Sequence, residues 1–191
     1  MKKTLAAFII IFVVLSSGCI EEKETTPSTS STTSTGSMTT SSSGGITFPE
    51  DASPFGNLSL DLKAPDCAFG WFKVTVVMTN VGNNTVLLLK PISMITLHFK
   101  LYDENGSELE YRGPAPTYLP LKDQDVAVLK AGDSLEKTFT LNTQFWTTEN
   151  GTYTLLVLYD TRDVKAETSK PVWRGRLEAE ANVTFGECSH N

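Results

Sequence analysis

Leu129-Lys130-Ala131-Gly132-Asp133-Ser134-Leu135-Glu136-Lys137-Thr138-Phe139-Thr140-Leu141 runs through Asn142-Thr143-Gln144-Phe145-Trp146-Thr147-Thr148-Glu149-Asn150-Gly151 into Thr152-Tyr153-Thr154-Leu155-Leu156-Val157-Leu158-Tyr159-Asp160. Two segments of period-2 hydrophobicity flank one polar corner. In the first, Leu135, Phe139 and Leu141 alternate with charged and hydroxyl residues. In the second, Tyr153, Leu155, Val157 and Tyr159 share a face, with Leu156 and Leu158 on the other. A period of two over this length predicts strands. A strand apolar on both faces predicts a central position in its sheet.

Moving outward, the same period recurs. Leu58, Leu60 and Leu62 oppose Ser59, Asp61 and Lys63. Phe72, Val74, Val76 and Met78 oppose Lys73, Thr75 and Thr79. Thr85 to Lys90 is a short apolar strand ended by Pro91. Met94 to Tyr102 predicts a strand with Ile95, Leu97, Phe99 and Leu101 inward, and Thr96, His98 and Lys100 outward. Asp103-Glu104-Asn105-Gly106 signals a hairpin to a return strand near Glu108 to Arg112. Val126 to Leu129 is a further short piece. Leu177, Ala179, Ala181, Val183 and Phe185 form one face of the last strand. Asp160 to Lys170 is polar and predicts a loop or mobile excursion. No long 3.6-residue period occurs. The expected fold is all-β, an antiparallel sandwich of about 7–9 strands, which the corner within Leu129 to Asp160 makes similar to immunoglobulin-like domains.

The termini set the context. Met1-Lys2-Lys3 is a positive lead, Thr4 to Ser17 is apolar, and Leu15-Ser16-Ser17-Gly18-Cys19 follows. The apolar run is shorter than the roughly 20 residues of a membrane span and fits a secretory signal. Small residues ending in a cysteine resemble the lipobox of prokaryotic lipoproteins, in which the cysteine is lipidated and becomes the first residue. This resemblance implies membrane lipid as a partner through Cys19, on the outer face of the cytoplasmic membrane. The other readings are an ordinary signal peptide and an uncleaved anchor. From Thr25 to Gly45, 16 of 21 residues are Ser or Thr. Such a stretch has too little apolar surface to offset ordering entropy, so it reads as a disordered, glycosylatable stalk. Signal, cysteine and Ser/Thr tether together resemble archaeal surface lipoproteins. The expected organisation is a signal peptide over 1–18, a stalk over 19–47 and the sandwich over 48–191.

Cleavage before Cys19 removes two of 16 basic residues, leaving 14 against 22 acidic ones and a net charge of −8. With no basic patch, nucleic acid is not an expected partner. Cys67 and Cys188 remain. In an oxidising compartment two cysteines read as one disulfide, the alternative being two free thiols.

The corner carries a family resemblance. Leu129-Lys130-Ala131-Gly132-Asp133-Ser134, then Phe139, Leu141 and Gly151-Thr152-Tyr153, resembles a pattern in extracellular immunoglobulin-like accessory domains. Some of these precede secreted metallopeptidase domains; others are proteinase-inhibitor domains of the BsuPI type. Val76 to Asn80 before a glycine turn is similar to their apolar strand ending in Thr-Asn. The resemblance spans Trp71 to Tyr159. It implies that Tyr153 opens a core strand and bonds back to the upstream backbone. It also implies that part of the first strand pairs in parallel with the last. Both strands would then end at one pole, each followed by a cysteine.

Little points to catalysis. His98 alternates outward and His190 is penultimate; neither sits in a metal spacing such as H-E-x-x-H, and no G-x-S-x-G elbow occurs. Asp123/Asp125 and Asp160/Asp163 are carboxylate pairs of the kind that join calcium sites, and equally of the kind found solvated in loops. No enzyme activity, metal or cofactor is expected. N-x-[ST] sequons at Asn57, Asn83, Asn105, Asn150 and Asn182 exceed random placement and predict N-glycosylation. The aromatics Tyr118, Phe145, Trp146 and Trp173 are candidates for a binding surface, or for plugs at the ends of the core. Trp71 alternates with the outward residues of its strand, and the N-terminal lead is one candidate to cover it. The function expected is non-catalytic binding or an envelope-structural role, with an extracellular or membrane protein as partner. The alternatives are a BsuPI-like proteinase inhibitor using Gly113 to Asp125, and an accessory subunit of a membrane complex or transporter.

Overall fold

The computed structural model describes residues 46–117 and 120–188 of the 191-residue chain. Cys19, the signal, the stalk, Tyr118 and His190 lie outside the described residues. The strands, in order, are β1 (Leu58–Lys63), β2 (Cys67–Ala68), β3 (Trp71–Asn80), β4 (Val86–Leu89), β5 (Leu97–Tyr102) and β6 (Glu108–Leu109). Then come β7 (Leu121–Lys122), β8 (Val126–Leu129), β9 (Ser134–Asn142), β10 (Gly151–Asp160), β11 (Ala166–Glu167) and β12 (Arg176–Phe185). Four of these are two-residue pairings. The other eight are the segments the sequence marks, six by alternation and β4 and β8 by short apolar runs, so the all-β expectation and its strand number stand.

Two sheets face each other. One has the order β1-β3-β9; the other has the order β2-β12-β10-β5-β6. β3 supplies Phe72, Val74, Val76 and Met78 to the space between them, and β10 supplies Leu155, Val157 and Tyr159. β10 is central, paired antiparallel with β12 on one side and β5 on the other. Ring contacts join the layers: Phe72 lies 5.6 Å from Phe185, and Phe99 lies 5.3 Å from Phe139.

The first strand changes sheets. β1 pairs antiparallel with β3, while β2 pairs in parallel with β12 (Cys67 opposite Thr184). Pro65 sits at the crossing, where it interrupts the pairing without ending it. Cys67 and Cys188 are thereby brought to one pole and bonded, with Cα atoms 5.8 Å apart.

A second layer lies outside this sandwich. β4 is buried along its whole length. Val86 and Leu88 belong to the main core; Leu87 and Leu89 belong to a smaller cluster with Phe48, Leu121, Val126 and Val172. β4 pairs with β8, and β7 pairs in parallel with β11. Of the two readings for the segment after Asp160, loop or mobile excursion, the structure shows a loop that is packed into the fold and carries β11. Thr161 is buried, the Arg174 guanidinium donates to the carbonyls of Thr161 and Val164, and Ser169 N donates to Asp123 Oδ1.

Another correction concerns β5. It begins at Leu97 rather than Met94, because residues 94–96 turn, with Met94 at a φ of 63°. Thr96, expected outward, is buried: its hydroxyl donates to Lys90 O and accepts from Ile92 N. Ile95 instead packs against the second cluster. A local Thr hydroxyl bond to the backbone competes with the strand ladder and wins here.

Candidate functional site

The pole where β9 passes to β10 holds most of the residues singled out from sequence. Asn142 ends β9, and its side chain accepts from Gln144 N at 2.9 Å, starting the 3-10 turn Thr143–Phe145. The turn drops Trp146 inward. Trp146 is 2% exposed and lies 5.4 Å from the Tyr111 ring, to whose backbone it is bridged. It is therefore a plug in the core and no part of an exposed surface. Its Nε1 is buried without a hydrogen-bond partner. Phe145 is half-buried between Trp71 and Tyr111, in edge contacts of 5.7 and 5.8 Å.

Trp173 also departs from a free binding surface. Its ring stacks on Tyr159 at 6.0 Å and its Nε1 donates to Gly56 O, at the opposite pole. Tyr118 lies outside the described residues. The three described candidates, Phe145, Trp146 and Trp173, thus do not form one patch.

The aromatic surface at the corner is made by other residues. Phe69 is 75% exposed and Trp71 is 66% exposed, on either side of Gly70. Gly70 has a φ of +67°, the left-handed region that favours glycine. Its carbonyl accepts from Thr143 N, tying this bend to the corner turn. Trp71 is not covered by the N-terminal lead; among the described residues its ring neighbour is Phe145. The signal for it was present, since Trp71 alternates with Lys73 and Thr75. Phe69 lies outside any alternating run and carried none.

Tyr153 bonds back across the corner. Its hydroxyl donates to Glu149 O at 2.9 Å and accepts from Glu149 N at 3.1 Å. This holds residues 149–153 as a closed loop, with Asn150 at its exposed tip. Beside the loop is a cleft of about 370 Å³, lined by Phe69, Trp146, Asn150 and the polar side chains between them. That size falls within the range of roughly 300–1,000 Å³ typical of small-molecule sites.

The five sequon asparagines, Asn57, Asn83, Asn105, Asn150 and Asn182, are all exposed. The buried asparagines, Asn80 and Asn142, stand outside any sequon. Asn80 is structural: its Nδ2 donates to the carbonyls of Asn84 and Leu129, and its Oδ1 accepts from Gly82 N.

A second cleft lies on the outer face of the five-stranded sheet. Met94, Ile95, His98, Leu158, Asp163 and Lys165 are among its walls, and its volume is about 560 Å³. Burial lowers the His98 pKa below the ordinary imidazole value and outweighs the Asp160 carboxylate, which raises it. Three of the four paired carboxylates have partners of their own. Asp125 accepts from Lys122 N, Asp123 from Ser169 N, and Asp160 pairs with Arg162. Among the described residues no group of three or more His, Cys, Asp or Glu side chains is placed to hold a metal ion.

No protein-family model matches the chain, and no curated protein does. Among solved structures it is similar to the CARDB domain of the PF1109 protein from Pyrococcus furiosus, crystallised in complex with di-metal ions. Identity is 16%, with 69% of this chain and 90% of that one covered and a TM-score of 0.36. The solution structure of the same domain gives 16% identity, covers 67% of this chain and 93% of that one, and has a TM-score of 0.34. A mutant β-glucosidase from Listeria innocua in complex with laminaribiose gives 15% identity and a TM-score of 0.37. It covers 70% of this chain and 16% of that one. No ligand, metal or activity passes from these proteins to this chain.

Proposed function

We propose that this chain is a non-catalytic surface protein, tethered to the outer face of the cytoplasmic membrane through a lipid on Cys19. Its Ser/Thr stalk holds a glycosylated sandwich away from the bilayer, at roughly 25–30 Å for a flexible coil of that length. The observation that carries this reading is the sorting of the asparagines. Every sequon asparagine is exposed, and the asparagines that the fold buries lie outside sequons. A disulfide closing the domain supports an oxidising compartment.

The partner contact in this reading is the exposed edge made by Trp71 against Phe145. An exposed indole on a rigid strand end is the kind of anchor that dominates protein interfaces. The partner is an extracellular or membrane protein.

The test uses full-length protein in its native membrane. The amino-terminal peptide beginning at Cys19 is expected to carry a lipid mass, and Cys19→Ser to release the domain into the aqueous phase. Cross-linking before detergent extraction is expected to capture a partner from wild type and not from Trp71→Ala, with thermal stability unchanged. A lipid-free native protein sinks the anchor. A partner captured equally by Trp71→Ala moves the contact elsewhere on the domain. A partner held in fixed stoichiometry through detergent purification identifies an accessory subunit.

A further inference from the structure

Phe69 and Asn150 line the same corner cleft. Backbone pairing sets their proximity. Gly186 N donates to Ala68 O at 3.2 Å, one residue before Phe69. On its other side, a Cβ at Gly186 would lie 3.4 Å from Cγ of the Asn150 side chain. The Asn150 side chain therefore packs beside the Gly186 backbone, at the rim of the cleft. The amide belongs to the sequon Asn150-Gly151-Thr152, and the Tyr153 latch holds its loop.

The cleft fits a neutral saccharide. Gln144, Thr147 and Thr148 offer amide and hydroxyl groups, and Glu149 is the one charged residue of the lining. Phe69 offers an aromatic face that the protein itself leaves three-quarters exposed. A pyranose ring has an apolar C–H face that buries such a surface, while its hydroxyls meet the polar rim. Exposed phenylalanine in a polar cleft thus has a covering group built from the chain's own modification site.

We propose that the saccharide attached to Asn150 lies in this cleft, with a sugar ring against Phe69, as a packed part of the domain. This rests on the reading that the domain is N-glycosylated, and it adds which sequon is structural and what its glycan covers. Trp71 does not line the cleft, so the partner edge stays open beside the glycan.

The experiment takes full-length protein purified from its native membrane. Peptide mapping reads occupancy at each of the five asparagines. Thermal unfolding is then compared for wild type, Asn150→Gln, Phe69→Ala and the double variant. Asn150 is expected to be occupied. Each single variant is expected to lower the midpoint by about 3 °C, and the double variant to fall no further than one single variant. Radical labelling of Phe69 is expected to rise in Asn150→Gln, an exposed substitution that leaves the core untouched. Bare Asn150 with other sequons occupied overturns this proposal and leaves glycosylation standing. Five bare asparagines overturn both. Occupied Asn150 with strictly additive midpoint shifts, or Phe69 labelling unchanged by Asn150→Gln, places the glycan in solvent and overturns the proposal.

Discussion

The Tyr159 hydroxyl donates to the carbonyl of Leu89, where a further strand would have supplied an N–H. In a strand, the N–H and C=O of one residue point to the same side, and alternate residues share that side. Leu87 turns both groups away from β8: its N–H goes to Ser53 O, and its carbonyl accepts from Trp173 N. Leu89 shares that side, which has run out of backbone partners. The buried phenol fills the gap and joins the central strand β10 to the second layer. Burial pushes the Tyr159 phenol far above its ordinary pKa, so it is a neutral donor throughout the working range.

Tyr159→Phe removes that donor and leaves a carbonyl in a region closed to water. The expected loss of stability is on the order of 1–3 kcal/mol. Tyr153 sits on the same face of the same strand and also bonds a backbone carbonyl, at Glu149, but in contact with solvent. Water replaces its hydroxyl, so Tyr153→Phe is expected to cost less, about 0.5–1.5 kcal/mol. Denaturant unfolding of both variants reads the difference. A larger loss for Tyr153→Phe would reverse the ranking of the two latches.

The Cys67–Cys188 disulfide spans a sequence separation of 121 residues. Closing a loop of that length removes denatured-state entropy worth about 4–5 kcal/mol in the chain-entropy model. The double variant Cys67→Ala/Cys188→Ala is expected to keep the sandwich, because β2 and β12 remain paired by their backbones. It is expected to unfold at markedly lower denaturant, as is the wild type under reductant. A loss below about 1 kcal/mol would mean that the unfolded chain already holds its ends together.

Asn80→Ala tests a residue that reads from sequence only as the end of a strand before a glycine turn. Its amide bonds three backbone groups in a site of zero exposure. Substitution orphans the Leu129 carbonyl and the Gly82 N–H from these bonds, at an expected cost of about 2–3 kcal/mol. Asn83→Ala, three residues on and exposed, is expected to change stability by less than about 0.5 kcal/mol. Equal effects at both positions would make Asn80 an ordinary turn residue.

The contrast between these residues shows what alternation carries. It assigns faces, so β1, β3, β9, β10 and β12 and most of their buried residues were readable. It does not say how many layers cover a face. Val86-Leu87-Leu88-Leu89 has no alternation because both of its faces are covered, which points to burial without naming the second layer. Side chains that bond backbone are invisible to it as well. Thr96 reads as an outward residue yet is buried by two bonds to its own turn. At the corner, the sequence leaves Phe145 and Trp146 as either a surface or plugs of the core; the 3-10 turn separates them, sending the indole into the core. The exposed Phe69 belongs to no periodic run, so only the register of β2 against β12 brings it to Asn150.

His98 supplies a pH dependence whose sign follows from its burial. It faces the second cleft, with Asp160 raising its pKa, Lys100 lowering it, and Asp163 and Lys165 also in the walls. Desolvation is the largest influence and leaves the folded-state pKa below the unfolded value of 6.5. The unfolded chain then binds the proton more tightly. Above the unfolded pKa both states are neutral at this site and it has no effect. As pH falls below that value, stability is lost, until the folded state also takes up the proton. Glu108 and Asp160 have lowered pKa values, through hydrogen bonds from Lys100 and Arg162, and their losses come at more acid pH, below their own unfolded values. Wild type is therefore expected to lose stability between about pH 7 and pH 5, and His98→Gln to be flatter over that window. Asp160→Asn is expected to steepen the wild-type loss, because it removes the charge that favours the imidazolium. Parallel profiles for wild type and His98→Gln would show that the cleft solvates His98 as well in the folded state as in the unfolded one.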